Sequence, residues 1–177
     1  MIQGKLVTLR LARLEDRRSV YDWMAQSNIT SDMLGPPTFP DVPASSWEDF
    51  LDDYQSYFFE GPPSADGRCF IIEYDHLPVG HINYNDLEDE GRQVELDIWM
   101  ADRKFTGKGY GPDAIHALCD FLHQHFGCTR FIMAPSARNP KAIKAYEKAG
   151  FSALPEWPKG FVGDYDDAVV MMRYISP

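Results

Sequence analysis

The sequence predicts one α/β (α+β) domain of about seven strands and about four helices. Segments that alternate apolar and polar residues, as half-buried strands do, occur between segments whose apolar residues recur at helical spacing. The chain has 177 residues, 44% of them hydrophobic, which suffices for one sizeable core. We find no repeat, low-complexity tract or linker that would divide residues 1–177, so we expect a single domain.

The first third of the chain contains one predicted strand and two predicted helices. Residues 6–11 alternate as a strand, and a short helix is expected from about Asp16. Residues 31–43 contain four prolines and one glycine, which predicts a loop. Residues 45–48, Ser-Ser-Trp-Glu, form a capping box, and the apolar stripe of the helix that follows runs to Phe58.

The rest of the chain predicts six more strands and two longer helices. Strands are expected at about 68–74, 79–85 and 94–100, with an acidic loop at 86–91 before the third. The later elements are a glycine-rich loop at 106–112, a helix, a strand at 130–133, a helix from Asn139, and closing strands near 151–157 and 168–174.

The glycine-rich loop has the properties of an anion cradle. Gly107, Gly109 and Gly111 permit positive φ and the close approach of a ligand, and Pro112 suits a first helical turn. The free N–H groups and positive dipole end of the next helix would face the loop and favour a phosphate. The loop lacks the Lys-Ser/Thr of a P-loop and the Gly-x-Gly-x-x-Gly spacing of a dinucleotide site. A tight turn without a ligand is the alternative interpretation.

A second motif lies in the helix that starts near Asn139. Asn139 suits an N-cap, Pro140 the first helical position and Gly150 the stop after the helix. Here the chain resembles the GCN5-related N-acetyltransferases, whose last helix carries Asn-x-x-Ala-x-x-x-Tyr-x-x-x-Gly-Phe. The matching residues are Asn139, Ala142, Tyr146, Gly150 and Phe151. The glycine loop resembles the family's Gln/Arg-x-x-Gly-x-Gly/Ala pattern, with Thr106 at the Gln/Arg position.

The resemblance covers nearly the whole chain and implies the GNAT fold, a mixed and mostly antiparallel central sheet flanked by helices. It also implies an acetyl-CoA-dependent N-acetyltransferase in which the amine attacks directly within a ternary complex. One backbone N–H, from Ile98 or Trp99, would bind the thioester carbonyl. The residues implied to bind acetyl-CoA are Ile98, Trp99, Thr106, Gly107, Lys108, Gly109, Tyr110, Gly111, Asn139, Ala142 and Tyr146. For Asn139, a plain N-cap is the alternative.

The resemblance implies that Tyr146 protonates the departing CoA thiolate, and a core tyrosine with a satisfied hydroxyl is the alternative. Glu95 and Asp97 share one face of a strand, where a carboxylate can accept a proton from a bound ammonium or hold the cation. Asp97 stands ten residues before Gly107, where the aminoglycoside 6′-N-acetyltransferases, the branch that this chain resembles, place a substrate-binding aspartate.

Two polar residues of the neighbouring strand are expected to line the same cleft. His81 and Asn83 share one face of that strand, so both are candidates for substrate binding. His81 is either a proton relay or an ordinary strand histidine. Ala134 stands where members of the aminoglycoside branch often carry another acidic contact.

The charge distribution favours a cationic partner. The net charge is −10, with acidic groups concentrated at 52–53, 86–90 and 164–167. Such a field disfavours nucleic acid, and Asp164 and Asp166 are expected to contribute to the binding of a small cationic amine. The resemblance to the aminoglycoside branch implies an aminoglycoside as one such amine, with antibiotic resistance as the consequence. Acetylation of protein N-termini or side chains is one alternative. A non-catalytic CoA-binding sensor module is another.

Metal, disulfide and membrane functions are not indicated. Cys69, Cys119 and Cys128 are an odd number without metal-ligand spacing, which predicts reduced thiols, and the five histidines show no zinc spacing. No apolar run reaches the length of a membrane span, and the N-terminus lacks a signal-peptide core. We therefore expect a cytoplasmic monomer or homodimer without a metal.

Overall fold

The computed structural model describes residues 1–33, 44–88 and 92–176, which contain one sheet of eight strands. Its spatial order is β1-β2-β3-β4-β5-β6-β8-β7, and only the β5–β6 pair is parallel. The strands are β1 (Ile2–Gln3), β2 (Thr8–Leu11), β3 (Gly67–Tyr74), β4 (Leu77–Glu88), β5 (Gln93–Met100), β6 (Arg130–Met133), β7 (Ser152–Ala153) and β8 (Met171–Tyr174). The predicted mixed, mostly antiparallel sheet is confirmed.

Five α-helices flank the sheet in the described residues. They are α1 (Arg17–Ala25), α2 (Thr30–Met33), α3 (Trp47–Asp53), α4 (Tyr110–Phe126) and α5 (Pro140–Lys148). Short 3₁₀ turns lie at Leu14–Asp16, Ser56–Phe58 and Arg103–Phe105. None of the described helices combines the length and apolar character needed to cross a membrane.

The two faces of the sheet pack against different helices. On one face, β4 and β5 side chains such as Ile82 and Leu96 share a buried cluster with Leu118 of α4. On the other face, Ile71 of β3 packs with residues of α1 and α3, Phe50 among them. Alternate residues of β5 are buried with the α4 cluster. Because side chains alternate along a strand, the intervening Glu95, Asp97 and Trp99 lie on the face opposite α4.

β5 is paired with β6 over only part of its length. The pairs are Gln93↔Arg130, Val94↔Phe131 and Glu95↔Ile132, whereas the pairing of β5 with β4 continues to Met100. Within the described part of the chain, residues 96–100 therefore have no strand partner on the β6 side. Backbone groups along such an edge can bind a ligand in extended conformation.

The carboxylate of Asp113, in the first turn of α4, anchors the N-terminal segment. It accepts hydrogen bonds from the backbone N–H groups of Lys5 (3.0 Å), Leu6 (2.7 Å) and Val7 (3.0 Å). A Cβ on Gly109 would lie 3.3 Å from the Leu6 side chain. The N-terminal segment and the glycine loop thus pack directly against each other.

The capping box of α3 begins one residue later than predicted. Ser46 is the N-cap: its hydroxyl accepts the Asp49 N–H (3.1 Å), and the Asp49 carboxylate accepts the Ser46 N–H (3.3 Å). Both registers contain serine followed by an acid three residues later, so the pattern could not distinguish them. The helix ends at Asp53, and Phe58 belongs to the 3₁₀ turn that follows.

Other boundaries also differ from the predictions. The expected loop at 31–43 starts inside α2, and its residues 34–43 lie outside the described part of the chain. β4 continues to Glu88, so the expected acidic loop begins within a strand, and residues 89–91 are not described. The closing strands are shorter than predicted. Pro155 and Pro158 follow β7, and proline has no N–H to donate to a ladder.

Candidate active site

A cleft of about 450 Å³ lies over the polar face of β4 and β5. Its floor contains three cross-strand pairs, His81↔Trp99, Asn83↔Asp97 and Asn85↔Glu95. The other lining residues come mainly from α1, α3, α5 and the loop that holds Asp164 and Tyr165. The predicted site residues brought together here are His81, Asn83, Glu95, Asp97, Ile98, Trp99, Asn139, Ala142, Tyr146 and Asp164.

Asp97 occupies the centre of the cleft floor. Burial raises the pKa of its carboxyl from the usual 3.8 to about 6, and the nearby Asp164 acts in the same direction. A hydrogen bond from Asn83 Nδ2 to Asp97 Oδ2 (3.2 Å) partly opposes this rise in pKa. Asp97 is therefore mainly ionised at pH 7, but close enough to its pKa to accept a proton from a neighbouring amine. Glu95 lies two residues earlier on the same strand face.

Tyr146 projects into the cleft from α5. The helix starts as predicted, because Asn139 Oδ1 accepts the Ala142 N–H (3.1 Å) and Pro140 follows the cap. Tyr146 is buried, and burial raises the pKa of its hydroxyl, with smaller contributions from Asp97 and Tyr165. The phenol therefore keeps its proton at neutral pH, as a general acid must. Asn139 uses its side-chain oxygen as an N-cap.

His81 is not suited to carry protons at neutral pH. Its side chain is 1% exposed, and burial lowers its pKa to about 3. The ring stacks on Trp23 of α1, with ring centroids 6.3 Å apart. The structure therefore favours a neutral, buried imidazole, and the prediction that His81 relays protons loses its physical basis.

The acids of the 164–167 segment have different surroundings. Asp164 is exposed overall, but desolvation against the cleft wall and the charge of Asp53 raise the pKa of its carboxyl. Asp167 accepts hydrogen bonds from Arg138 Nε (2.8 Å) and from the Ser136 hydroxyl (3.0 Å), so it stabilises the loop. Asp166 is exposed and does not line the cleft, contrary to the expectation that it contacts the substrate.

The glycine loop lies beside the unpaired part of β5. Gly107 and Gly109 have φ of +71° and +87°, values that favour glycine, and α4 starts at Tyr110 without a side-chain cap. Because Pro112 has no N–H, the N–H groups of Tyr110 and Gly111 are the uncapped donors at the helix start. A Cβ on Gly111 would lie 3.7 Å from the Ile98 side chain, so the helix start contacts β5.

The structure gives the side chains of Thr106 and Lys108 no role in a ligand site. The Thr106 hydroxyl donates to the Arg103 carbonyl (2.8 Å), which stabilises the preceding 3₁₀ turn. Among the described residues, the Lys108 side chain forms no hydrogen bond or ion pair that the structure shows. Its backbone N–H remains a candidate donor within the glycine loop.

Sequence reasoning missed Tyr54, the residue that directly follows α3. The apolar stripe of that helix included Tyr54, and its ring does stack on Phe50, with centroids 4.7 Å apart. Its hydroxyl, however, reaches the cleft floor and donates to Asn83 Oδ1 (3.3 Å). The only signal in the sequence was that the apolar stripe of this helix has a tyrosine at position 54 where a phenylalanine would suffice. A hydroxyl placed in such a stripe needs a hydrogen-bond partner. Tyr165, also missed, is another lining residue of the cleft.

The described residues contain no group of three His, Cys, Asp or Glu side chains that could hold a metal ion. Cys69, Cys119 and Cys128 are buried thiols, and burial raises the pKa of Cys119 to about 12 and that of Cys128 to about 11. These thiols are therefore protonated and unreactive at neutral pH.

The chain is similar to known acetyltransferases. A family model described as an acetyltransferase (GNAT) domain matches residues 7–152. Aminoglycoside N(6′)-acetyltransferase type 1 of Klebsiella pneumoniae is 29% identical over 153 residues, covering 82% of this chain and 73% of that protein. The spermine/spermidine N(1)-acetyltransferase of Bacillus subtilis is 30% identical over 66 residues, covering 37% of this chain and 43% of that protein.

Solved structures show the same fold. The acetyltransferase AAC(6′)-Ib in complex with ribostamycin and coenzyme A has a TM-score of 0.69 at 26% identity, covering 96% of this chain and 94% of that chain. The spermidine N-acetyltransferase of Vibrio cholerae in complex with CoA and spermine has a TM-score of 0.69 at 20% identity, covering 97% and 96%. The predicted fold and the predicted acetyltransferase class are confirmed. Because the family model spans most of its length, this chain belongs to the GCN5-related N-acetyltransferase (GNAT) family.

Proposed function

We propose that this chain transfers an acetyl group from acetyl-CoA to the amine of a small cationic acceptor, by direct attack in a ternary complex. The observation that carries the proposal is the shared cleft of Asp97 and Tyr146, a carboxylate that attracts a cation and a phenol that keeps its proton. The cleft adjoins the unpaired edge of β5. A base, an acid and a free backbone edge are the groups that acetyl transfer to an amine requires.

The glycine loop and the start of α4 fit the pyrophosphate of CoA. Positive φ at Gly107 and Gly109 turns the backbone around an open space, since a Cβ on Gly107 would meet no atom within 4 Å. The uncapped N–H groups of α4 and its dipole favour an anion there. Acetyl-CoA would supply the acetyl group as a thioester.

Backbone alternation favours Ile98 over Trp99 as the donor to the thioester carbonyl. The Ala101 N–H donates to the Val79 carbonyl, so the N–H of Ala101 points toward β4. In an antiparallel pair the hydrogen-bonding direction alternates along the strand, so the Trp99 N–H also points toward β4. The Ile98 N–H then points to the open edge, where it would stabilise the oxyanion. Asp97 would take the amine proton, and Tyr146 would protonate the thiolate.

A cationic acceptor is supported by the acids of the cleft and by the relatives. Asp97 and Asp164 line the cleft, and Asp53 lines it as well. The relatives are named for aminoglycosides, spermine and spermidine, all of which are polyamines in the chemical sense. We propose aminoglycosides as the first class to test, with antibiotic resistance as the cellular consequence.

Release of free thiol from acetyl-CoA, followed across a panel of acceptors, tests this function. We expect turnover with aminoglycosides or aliphatic polyamines and little with N-terminal peptides or neutral amines. Preferred turnover of peptides would instead support a protein N-acetyltransferase. Tight CoA binding without turnover of any acceptor would support a sensor module.

Gly109→Val should raise the dissociation constant of acetyl-CoA by about tenfold or more, equivalent to roughly 1.4 kcal/mol. A β-branched residue disfavours the φ of +87° found there, and its side chain would contact Leu6. Calorimetry measures the affinity. Gly61→Val is the matched control, because Gly61 also has a positive φ (+71°) and open surroundings but lies outside the loop and the cleft. Unchanged affinity in Gly109→Val would contradict the cradle.

A further inference from the structure

Both ends of the Asn83 side-chain amide are hydrogen-bonded within the cleft floor. Its Oδ1 accepts from the Tyr54 hydroxyl (3.3 Å), and its Nδ2 donates to Asp97 Oδ2 (3.2 Å). Asn83 is 3% exposed, whereas Asp97 is only partly buried at the cleft surface. Asn83 therefore lies beside Asp97 on the same face of the sheet, hydrogen-bonds to it and is the more deeply buried of the two, which favours a supporting role over direct contact with the acceptor.

His81 determines the direction of these hydrogen bonds. Its Nε2 lies 3.5 Å from the Tyr54 hydroxyl oxygen, a long contact, and its Nδ1 is buried without a partner in the described residues. A neutral imidazole carries one proton. On Nε2 that proton faces the oxygen of Tyr54, whereas on Nδ1 it would be buried without an acceptor, which is costly. The Tyr54 oxygen then accepts from His81, and its own proton is directed to Asn83.

This direction matters because the Asn83 amide has two unlike ends. Rotated by half a turn, the amide would place Oδ1 against the Asp97 carboxylate, and two acceptors cannot form a hydrogen bond. Donation by Tyr54 to Oδ1 disfavours that rotation. Stacking of His81 on Trp23 and of Tyr54 on Phe50 holds both rings in place.

We infer that Tyr54 and Asn83 are positioning residues that orient the Asp97 carboxylate toward the acceptor amine, with His81 setting the direction of their hydrogen bonds. The inference deepens the proposed function and rests on the role given there to Asp97. Tyr54, at the end of α3, thereby connects the helical wall of the cleft to its charged floor.

The pKa of Asp97 should respond to changes in the hydrogen bonds that join Tyr54, Asn83 and Asp97. The titratable groups that line the cleft around it are Tyr21 of α1, Asp53 and Tyr54 at the end of α3, His81 of β4, Glu95 of β5, Tyr146 of α5, and Asp164 and Tyr165 of the C-terminal loop. Burial and the charge of Asp164 raise the pKa of Asp97, and the hydrogen bond from Asn83 lowers it. Weakening that hydrogen bond should therefore raise the pKa of Asp97 further.

The test is the pH profile of kcat/KM between pH 5 and 9, measured with the best amine acceptor. In the parent, activity should fall as the pH falls and Asp97 takes up a proton. In Tyr54→Phe the acidic limb should move to higher pH by about half a unit to one unit, a loss of about two- to sixfold at pH 6 that recovers at pH 9. Asn83→Asp, which places a second carboxylate beside Asp97, should move the limb further in the same direction. Titration of the acceptor itself affects every variant equally.

Tyr84→Phe is the matched control, because the buried Tyr84 hydroxyl donates to the Ser64 carbonyl (2.7 Å) and its ring packs with the α4 cluster. Its acidic limb should equal that of the parent. If the acidic limb of Tyr54→Phe lies at the same pH as that of the parent while Asp97→Asn is inactive, the positioning role is overturned and the proposed function stands. Full activity in Asp97→Asn would instead remove the proposed function. If Tyr54→Phe does not fold, the inference is overturned when the acidic limb of Asn83→Asp lies at the same pH as that of the parent.

Discussion

Replacing Asp97 with asparagine should reduce kcat/KM for every cationic acceptor by about 30-fold to several thousandfold. Removal of one partner from a desolvated charge pair commonly costs about 2 to 5 kcal/mol, and here the remaining partner would be the acceptor ammonium. Hydrolysis of acetyl-CoA without an acceptor should change much less, because it does not involve that cation. Steady-state kinetics with two acceptors of different charge measures both effects. Full transfer activity, or preference for a neutral or acidic acceptor, would contradict a cation site at Asp97.

The same substitution has an opposite expected effect on stability, which separates lost activity from lost structure. The pKa of Asp97 is 3.8 ordinarily and about 6 in the folded protein, so between these values the folded state binds a proton that the unfolded chain releases. Stability therefore falls as the pH rises through this window. Asp97→Asn should raise the free energy of unfolding at pH 8 by up to about 3 kcal/mol. At pH 3 it should have little effect. Chemical denaturation at both pH values measures the difference.

Tyr146→Phe should lower kcat by about ten- to a thousandfold and leave the affinity for CoA nearly unchanged, the range expected for loss of a general acid. The loss should be smaller with a thioester donor whose thiol is more acidic, because such a thiolate departs without a proton. Tyr165→Phe tests another cleft tyrosine, whose pKa burial raises to about 12. If Tyr165→Phe causes the larger loss, the acid is Tyr165. Equal turnover in Tyr146→Phe and the parent would exclude Tyr146 from the mechanism.

The elements that the sequence predicted well are those with strong local signals. The period-two alternation of β5 correctly placed Glu95 and Asp97 on one face, and the Asn-Pro start of α5 correctly placed its N-cap. Residue type permitted positive φ at all three loop glycines; Gly107 and Gly109 adopt it, whereas Gly111 lies within α4. These features depend on neighbours in the chain, which a single sequence contains.

The features that escaped prediction depend on contacts between distant segments. Tyr54 and Asn83 are separated by 29 positions, and no local pattern indicates that their side chains meet. Asp166 and Asp167 are adjacent acids, yet Arg138 engages Asp167 and Asp166 remains exposed, a distinction set by how the loop packs. The burial that lowers the pKa of His81 likewise comes from helices that cover its strand. Residue type identified candidates, but their roles depended on packing.

The contact between Asp113 and the N-terminal segment has a practical consequence for how the protein is handled. One carboxylate holds three consecutive backbone N–H groups of residues 5–7, and Leu6 reaches Gly109 from the same segment. A tag fused next to residues 5–7 would perturb the segment that packs against the glycine loop. Purification through a C-terminal tag, or through a cleavable spacer at the N-terminus, leaves this packing undisturbed.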